Sequence, residues 1–139
     1  MSCWPGLTVS YKCEAARGVH HENDSYMLAL YTADAKLDEH TRAYSAAGEV
    51  RGAGYKAGGL RLENFEVVED GSAAVLTWDD ATWDKVTVRD VVGGLIYNAT
   101  RGNKAVGVVK LTEPASATNG AFTVYFPTAT AAEGLFVID

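Results

Sequence analysis

Residues 85–112, with the sequence KVTVRDVVGGLIYNATRGNKAVGVVKLT, decide the fold. Apolar and polar residues alternate through KVTVRDV (85–91), which is the period of a β-strand with one buried face. Two apolar runs follow, VGGLIYNAT (92–100) and KAVGVVKLT (104–112), and the turn residues TRGN between them predict a hairpin. Strands this close together leave no room for a crossover helix, so the segment favours an antiparallel sheet.

The same pattern continues on both sides of this segment. Apolar or alternating stretches predict strands at SYMLALYT (25–32), RLENFEVVED (61–70), SAAVLTWD (72–79), GAFTVYFP (120–127) and GLFVID (134–139). The alternation in 61–70 slips at Asn64, which could mark a bulge, and the turn EDGS predicts that 61–79 forms a hairpin. About eight short strands without helices between them predict a mainly β, antiparallel β-sandwich, of which a jelly roll is one form, rather than a closed barrel.

The N-terminal residues predict a short helix after an extended arm. The segment TVSYKCEAAR begins with Thr8 as a capping residue and is followed by Gly18, a residue that commonly ends helices. Val9, Cys13 and Ala16 would share one face of this helix. The residues WPG in front of it indicate an extended arm that lies outside the sandwich.

One domain is expected from the length of the chain. The prediction is a single β-sandwich domain over 1–139, with an N-terminal arm and short helix in 1–20 and the sandwich in 25–139. Residues 33–49 are polar and alanine-rich and predict a long connection, and residues 113–119 predict a loop.

Composition and charge indicate a globular domain with an acidic surface. Of 139 residues, 47% are hydrophobic and 22% are charged, and the net charge is −6 with a pI of about 5.0. Nucleic acid and anionic membranes repel an acidic protein without a basic patch, so neither is an expected partner. No stretch approaches the ~18 apolar residues of a membrane span, and the first residues lack a secretory pattern, so synthesis in the cytoplasm is expected.

The stretch GEVRGAGYKAGG (48–59) resembles a phosphate-binding loop only in its glycine content. A Walker loop requires Gly-Lys-Ser/Thr at its end, whereas Lys56 lies between Tyr55 and Ala57. A dinucleotide fingerprint requires a helix after the glycines, and a strand is predicted there. The glycines are therefore expected to allow positive φ angles and close backbone approach at a sheet corner, with Lys56 in solvent.

No catalytic residue, metal site or cofactor is predicted. His20, His21 and His40 lie in a predicted turn and a polar loop, without a Gly-x-Ser-x-Gly nucleophile motif, and are expected to be solvated. The aspartates of WDDATWD (78–84) have the spacing of neither a calcium loop nor a glycosidase acid pair. This segment is expected to be a polar turn between two packed tryptophans.

The two cysteines and a sequon-like triplet predict no functional site. Cys3 and Cys13 are interpreted as reduced thiols, although a turn between them would also permit a disulfide bond. The sequence NAT (98–100) matches a glycosylation sequon, but without a secretory signal this match has no expected meaning.

Most aromatic residues occupy alternating strand positions, where packing in the core explains them. Trp4 in the arm and Tyr44 in the 33–49 connection lie outside this pattern. Together with Leu7 and Tyr11 they are the predicted partner-binding residues, because an apolar arm outside a sandwich can contact a neighbouring subunit. Exposed aromatic residues in a row would instead indicate a carbohydrate-binding module.

Several blocks of the chain resemble a widespread family of small virion proteins of tailed bacteriophages. The family pattern has an ALYT strand, a GEV-x-G-x-GY-x-AGG segment, a W-x-x-(A/V)T element, a GALIYN-x-(S/T)-(K/R)-x-N-(K/R)-AV block and a final F-T-V-x-FP. These blocks fall at 29–32, 48–59, 83–87, 94–105 and 122–127. The resemblance runs from about residue 18 to the C-terminus. The chain departs from the pattern where Leu95 directly follows Gly94, and its N-terminus is its own.

This resemblance implies a non-enzymatic virion component, with a capsid decoration (cement) protein as the first expectation. The expected partners are the major capsid protein and further copies of the chain, as a homodimer or homotrimer, and the expected location is the capsid surface. The alternatives are a tail, neck or fibre-associated subunit, or a carbohydrate-binding module of similar shape. The family pattern has no catalytic residues that could be assigned to this chain.

Overall fold

The computed structural model describes residues 3–138, with side chains from residue 6 onward. In chain order the elements are β1 (Cys3–Leu7), α1 (Val9–Ala16), β2 (Tyr26–Tyr31), β3 (Leu60–Arg61), β4 (Glu66–Asp70), β5 (Ala73–Thr77), β6 (Ala81–Asn98), a 3₁₀ turn (Ala99–Arg101), β7 (Lys104–Val124) and β8 (Phe136–Ile138). The strands form two antiparallel sheets, with the orders β1-β7-β6-β2-β3 and β4-β5-β8. The prediction of a mainly β, antiparallel sandwich is confirmed.

A jelly-roll topology is not confirmed. The two sheets have five and three strands, and the hairpins β4–β5 and β6–β7 each stay within one sheet. A jelly roll is instead built from two Greek keys of four strands each.

β6 and β7 form one hairpin with arms of 18 and 21 residues. The predicted strands 85–91 and 92–100 are both parts of β6, and the predicted loop 113–119 belongs to β7, so these divisions are wrong. Several register shifts interrupt the ladder, and Asp90 and Asn119 have left-handed backbones with φ values of 55° and 49°. Bulges bend a strand without ending its pairing, so the alternation in the sequence breaks while the strand continues.

The predicted strand 61–70 is divided between the two sheets. β3 ends at Arg61 in the larger sheet, and β4 begins at Glu66 in the smaller one. Asn64, with φ of 56°, lies in the crossing segment, so its slip in the pattern marks a change of sheet rather than a bulge. The hairpin predicted within 61–79 is confirmed as β4–β5, and Gly71 supplies the positive φ of its turn.

The main hydrophobic core lies between the two sheets. Leu28 and Leu30 of β2 belong to it, together with Leu76 of β5 and Phe136 of β8, and each of these side chains is at most 3% exposed. Burial on this scale is the dominant stabilising contribution in a domain of this size.

The opposite face of the larger sheet is buried as well. Ala29 and Tyr31 of β2 pack there with Tyr97 of β6, and the connection 33–49 covers them with side chains that include Leu37. The central strands are therefore buried on both faces. This explains why β2 has a continuous apolar sequence instead of an alternating one.

The predicted N-terminal helix is confirmed as α1, and its capping residues act as expected. The Thr8 side chain accepts a hydrogen bond from the Tyr11 amide at 3.2 Å. At the other end Gly18 has φ of 73° and its amide bonds to the Ala15 carbonyl, while Val19 bonds back to Glu14. These two bonds form a Schellman motif, which satisfies the last carbonyls of the helix.

Two details of the N-terminal region differ from the prediction. The buried residue of α1 is Tyr11, whereas Val9 and Cys13 are exposed. The arm does not lie outside the sandwich, because it forms β1 and pairs with β7 from Cys3 opposite Leu111 onward.

Candidate functional site

The structure separates the predicted partner-binding residues into two places. Leu7 and Tyr11 are 9% and 6% exposed and belong to the main core. Tyr44 is half-buried and stacks on Tyr97 against the other face of the larger sheet, with ring centroids 4.9 Å apart. The side chain of Trp4 lies outside the described residues. Leu7, Tyr11 and Tyr44 are thus engaged within the chain, and their role toward a partner stays a prediction.

The glycine loop 48–59 lies against the backbone of the larger sheet. A Cβ atom at Gly52 would lie 1.6 Å from the Thr87 carbonyl oxygen, and one at Gly59 would lie 1.9 Å from that of Leu28. Gly59 and three further glycines of the loop also have positive φ angles. The expectation of close approach and positive φ is therefore confirmed. The Lys56 side chain is exposed, as expected.

Glu49, within this loop, is a buried carboxylate at the centre of a tyrosine cluster. The hydroxyl groups of Tyr44 and Tyr55 each donate to one carboxylate oxygen at 2.6 Å, and the Gly58 amide donates at 2.9 Å. Glu49 is 9% exposed, and no ion pair to it is found among the described residues. We call Glu49, Tyr44, Tyr55 and Gly58 the Glu49 cluster. Three donors replace the water that the carboxylate loses on burial.

The tyrosines of this region are held in the protonated form. Burial, with a further contribution from the bond to Glu49, raises the pKa of Tyr44 to about 12. The same two causes raise the pKa of Tyr55, whose hydroxyl also accepts a bond from the Leu30 amide at 3.0 Å. The hydroxyls therefore remain donors at neutral pH, which suits a structural role and not that of a general base.

A second buried polar group surrounds His20, and the expectation that this histidine is solvated is wrong. Its side chain is 2% exposed, and its Nε2 lies 3.0 Å from the Glu14 carboxylate. Its Nδ1 lies 3.0 Å from Nδ2 of Asn98, and its ring lies 4.7 Å from that of Tyr11. His21 is exposed, and the side chain of His40 is 74% exposed, so these two agree with the prediction.

Asn98 connects His20 to the turn after β6. Its Nδ2 also donates to Asp24 at 2.8 Å, and its Oδ1 accepts the amides of Thr100 and Arg101. Asn98 is completely buried, so the NAT match is no accessible sequon. We call His20, Glu14, Asn98, Asp24 and Arg101 the His20 network.

Asp24 is the most strongly perturbed acid of the network. Burial alone would raise its pKa, but hydrogen bonds from Arg101, Asn98 and the His21 amide outweigh burial and lower the pKa to about 2. The guanidinium of Arg101 contacts both carboxylate oxygens, at 3.0 and 3.2 Å. Such a two-point contact fixes the geometry of the pair as well as its charge.

Sequence reasoning missed both buried clusters. The only local signal for Glu49 was its place as an acid between glycines in the 48–59 block. Asn98 and His20 are 78 positions apart, so no spacing pattern could connect them. Both clusters satisfy buried polar atoms with partners from the same chain, which is the usual requirement for burial.

The other candidates for chemistry also have structural roles. Asp80 accepts the Phe126 amide at 2.8 Å, and Asp79 accepts a bond from the Asn64 side chain. Trp78 and Trp83, on either side of these acids, are packed in the core as expected. Within residues 6–138 no three His, Cys, Asp or Glu side chains come close enough together to hold a metal ion. Cys13 is a free, exposed thiol, and the side chain of Cys3 lies outside the described residues.

Charge is distributed unevenly along the chain. Residues 63–90 have eight acidic side chains and two basic ones, Lys85 and Arg89, so this segment alone accounts for the net charge of −6. All eight acids are exposed, and three of them, Glu66, Glu69 and Asp70, lie in β4. We call residues 63–90 the acidic segment. Such a segment attracts basic surfaces and repels acidic ones.

Comparisons of the chain with protein-family models, with curated proteins and with solved structures gave no match. No helix in the described part of the chain is long and apolar enough to cross a membrane.

Proposed function

We propose that this protein is a structural component of a bacteriophage virion, and specifically a capsid decoration protein that binds the outer surface of the head and stabilises it. Its partners in this proposal are the major capsid protein and further copies of itself. The protein has no enzymatic role in this proposal.

One observation carries the proposal: the sequence blocks that resemble phage virion proteins pack directly on one another. Tyr97 in the 94–105 block donates its hydroxyl to the Gly58 carbonyl in the 48–59 block at 2.6 Å. Gly94 lies so close to Leu28, just before the 29–32 block, that a Cβ there would be 2.7 Å from the Leu28 side chain. The blocks therefore contact one another within the fold of this chain.

The hydrogen bonding of the buried polar residues also supports a structural role. Within residues 6–138 they are Thr8, Glu49 and Asn98, and each is hydrogen-bonded inside the chain. Polar groups that are hydrogen-bonded in this way stiffen a domain. In the described part of the chain, the buried side-chain polar atom without a partner is Nε1 of Trp78, which can only donate a hydrogen bond.

The acidic segment supports contact with a basic surface. Val67 of β4, 54% exposed, provides an apolar contact beside Glu66 and Glu69 on this open strand edge. Opposite charges orient partners and raise the association rate. On a symmetric capsid, many such weak contacts would retain the protein through high effective concentration.

A carbohydrate-binding module is supported less well. The large hydrophobic side chains that are exposed in the described part are Val9, Val67, Tyr125 and Ile138, and only one of these is aromatic. A sugar platform requires several exposed aromatic rings in a row.

The test is to locate the protein in purified particles of the phage that encodes it, by cryo-EM and a quantitative gel. Decoration predicts density on the outside of the head and a copy number comparable with that of the major capsid protein. Particles that lack the protein should release their DNA at a lower temperature than wild-type particles. A few copies confined to the tail or neck would contradict the placement on the head. Absence from the particle would contradict the whole proposal.

A further inference from the structure

The hydrogen-bond network fixes where the proton of His20 lies. Asn98 Oδ1 accepts the amides of Thr100 and Arg101, so its Nδ2 must point toward His20 and Asp24. Since Nδ2 can only donate, Nδ1 of His20 must be the acceptor and carries no hydrogen. The single ring proton is then on Nε2, where it is donated to Glu14 at 3.0 Å.

From this geometry we propose that His20 is a proton-sensitive latch, which holds the segment after α1 against Asn98 at the end of β6, with its ring packed on that of Tyr11, only while the imidazole is neutral. A second proton on the ring would occupy Nδ1. It would then face the amino group of Asn98, and two donors cannot form a hydrogen bond.

Asn98 cannot adapt by rotating its amide. A flip would turn Oδ1 toward His20, but the Thr100 and Arg101 amides would lose their acceptor and Asp24 would face an oxygen. A flip would therefore cost the network three hydrogen bonds at once. The protonated ring therefore leaves its site more easily than the site rearranges around it.

Some charged groups around His20 favour protonation of its imidazole, and others oppose it. Glu14 on α1 favours a charged imidazole, and Asp24 does so through Asn98. Lys104 of β7, whose Nζ lies 3.9 Å from Glu14, and Arg101 of the 3₁₀ turn both oppose it. Tyr11 contributes an apolar ring surface that disfavours charge. The donor–donor contact with Asn98 adds to the groups that oppose a charged ring.

Opening of the latch would be local. Thr8 remains bound to the Val106 carbonyl by its amide at 3.1 Å, so the start of α1 stays on β7. The released part is the segment 17–23 together with the packing of His20 on Tyr11, because Asp24 and Ser25 remain bound to Arg101 and Thr100. Acid would thereby expose an aromatic ring that is 6% exposed in the closed state.

The test combines hydrogen exchange with NMR of the His20 ring nitrogens between about pH 7.5 and pH 5.5, a range that spans the ordinary titration of imidazole. At the higher pH the ring should be the neutral tautomer with hydrogen on Nε2. At pH 5.5, amides in 17–23 should exchange about tenfold faster than at pH 7.5, after correction for intrinsic rates, because the opened segment takes up the proton only below about pH 6.5; amides of β2 and β6 should stay unchanged.

The matched variant is His20→Gln, because glutamine can accept from Asn98 and donate to Glu14 but does not titrate. Its exchange in 17–23 should not respond to this pH change, whereas His21→Gln should respond like the wild type. A hydrogen on Nδ1 at the higher pH would overturn the proposal. Protonation of the ring without faster exchange in 17–23 would also overturn it. These two measurements use the unsubstituted protein, so they decide the question even if His20→Gln does not fold.

Discussion

Glu49 and Asp24 show two ways in which this chain buries a carboxylate. Asp24 has a cation, because Arg101 contacts both of its oxygens. Glu49 has only neutral donors from Tyr44, Tyr55 and Gly58. In both cases hydrogen bonds that favour the charged form offset the cost of burial.

Removal of the Glu49 charge should destabilise the protein. In Glu49→Gln one oxygen becomes an amino group, so a tyrosine hydroxyl that donates at 2.6 Å would face a donor. We expect a loss of about 1–3 kcal/mol in the free energy of unfolding, measured by urea denaturation. The exposed Glu69→Gln is the control and should change stability by less than about 0.5 kcal/mol. Equal effects of the two substitutions would contradict the structural role of the Glu49 cluster.

Because of Asp24, the free energy of unfolding should decrease in acid. Its pKa is about 2 in the folded protein against an ordinary value of 3.8, so its stabilising effect is complete above about pH 4 and is lost as the pH falls toward about 2. Asp24→Asn should be less stable than the wild type at neutral pH and should lose less stability across this acid range. Urea titrations at a series of pH values measure both effects. The exposed Asp84→Asn is the control, and its free energy of unfolding should depend on pH as that of the wild type does. The same pH dependence in Asp24→Asn would show that Asp24 is not the source of the acid sensitivity.

At the scale of elements, the glycine loop 48–59 packs against both β2 and β6. Its glycines lack a Cβ atom, so their backbone can lie directly on the backbone of these two strands. Gly59→Ala would place a Cβ 1.9 Å from the Leu28 carbonyl oxygen at a φ of 88°. We expect thermal and urea unfolding to show a loss of about 3 kcal/mol or more. Gly120→Ala in β7 is the matched control, since its nearest atom is 3.6 Å away, and it should change stability by about 0.5 kcal/mol or less. A tolerated alanine at Gly59 would mean that the loop does not lie this close to β2.

The elements differ in how well their boundaries follow from sequence. α1 was predictable because Thr8 and Gly18 cap it through local bonds. β6 was divided wrongly at residue 91, since its irregular pairing with β7 shifts the pattern without ending the strand. The predicted loop 113–119 is polar because much of that part of β7 is exposed, and polarity alone does not distinguish a loop from an exposed strand.

At the scale of the whole molecule, β1 makes the N-terminal residues part of the folded domain, so they cannot act only as an arm that contacts a partner. Because β1 pairs with β7 and Leu7 enters the core, deletion of residues 1–7 should lower the melting temperature as well as any assembly. Trp4→Ala keeps the backbone of β1, so it should weaken assembly alone if Trp4 contacts a partner. Differential scanning calorimetry and sedimentation analysis distinguish the two effects. An unchanged melting temperature after the deletion would show that β1 does not contribute to the sheet.

Local sequence patterns were sufficient to predict the fold class, the capped helix, the β4–β5 hairpin and the structural use of the glycines at 48–59. These features depend on strand period, capping and backbone freedom, which neighbouring residues along the chain decide. Three features followed only from the folded chain: 61–70 crosses between the sheets, the arm is β1, and Glu49 and His20 are buried. Burial and pairing depend on distant partners, such as Asn98 for His20, and a linear pattern carries no record of which distant residues will meet.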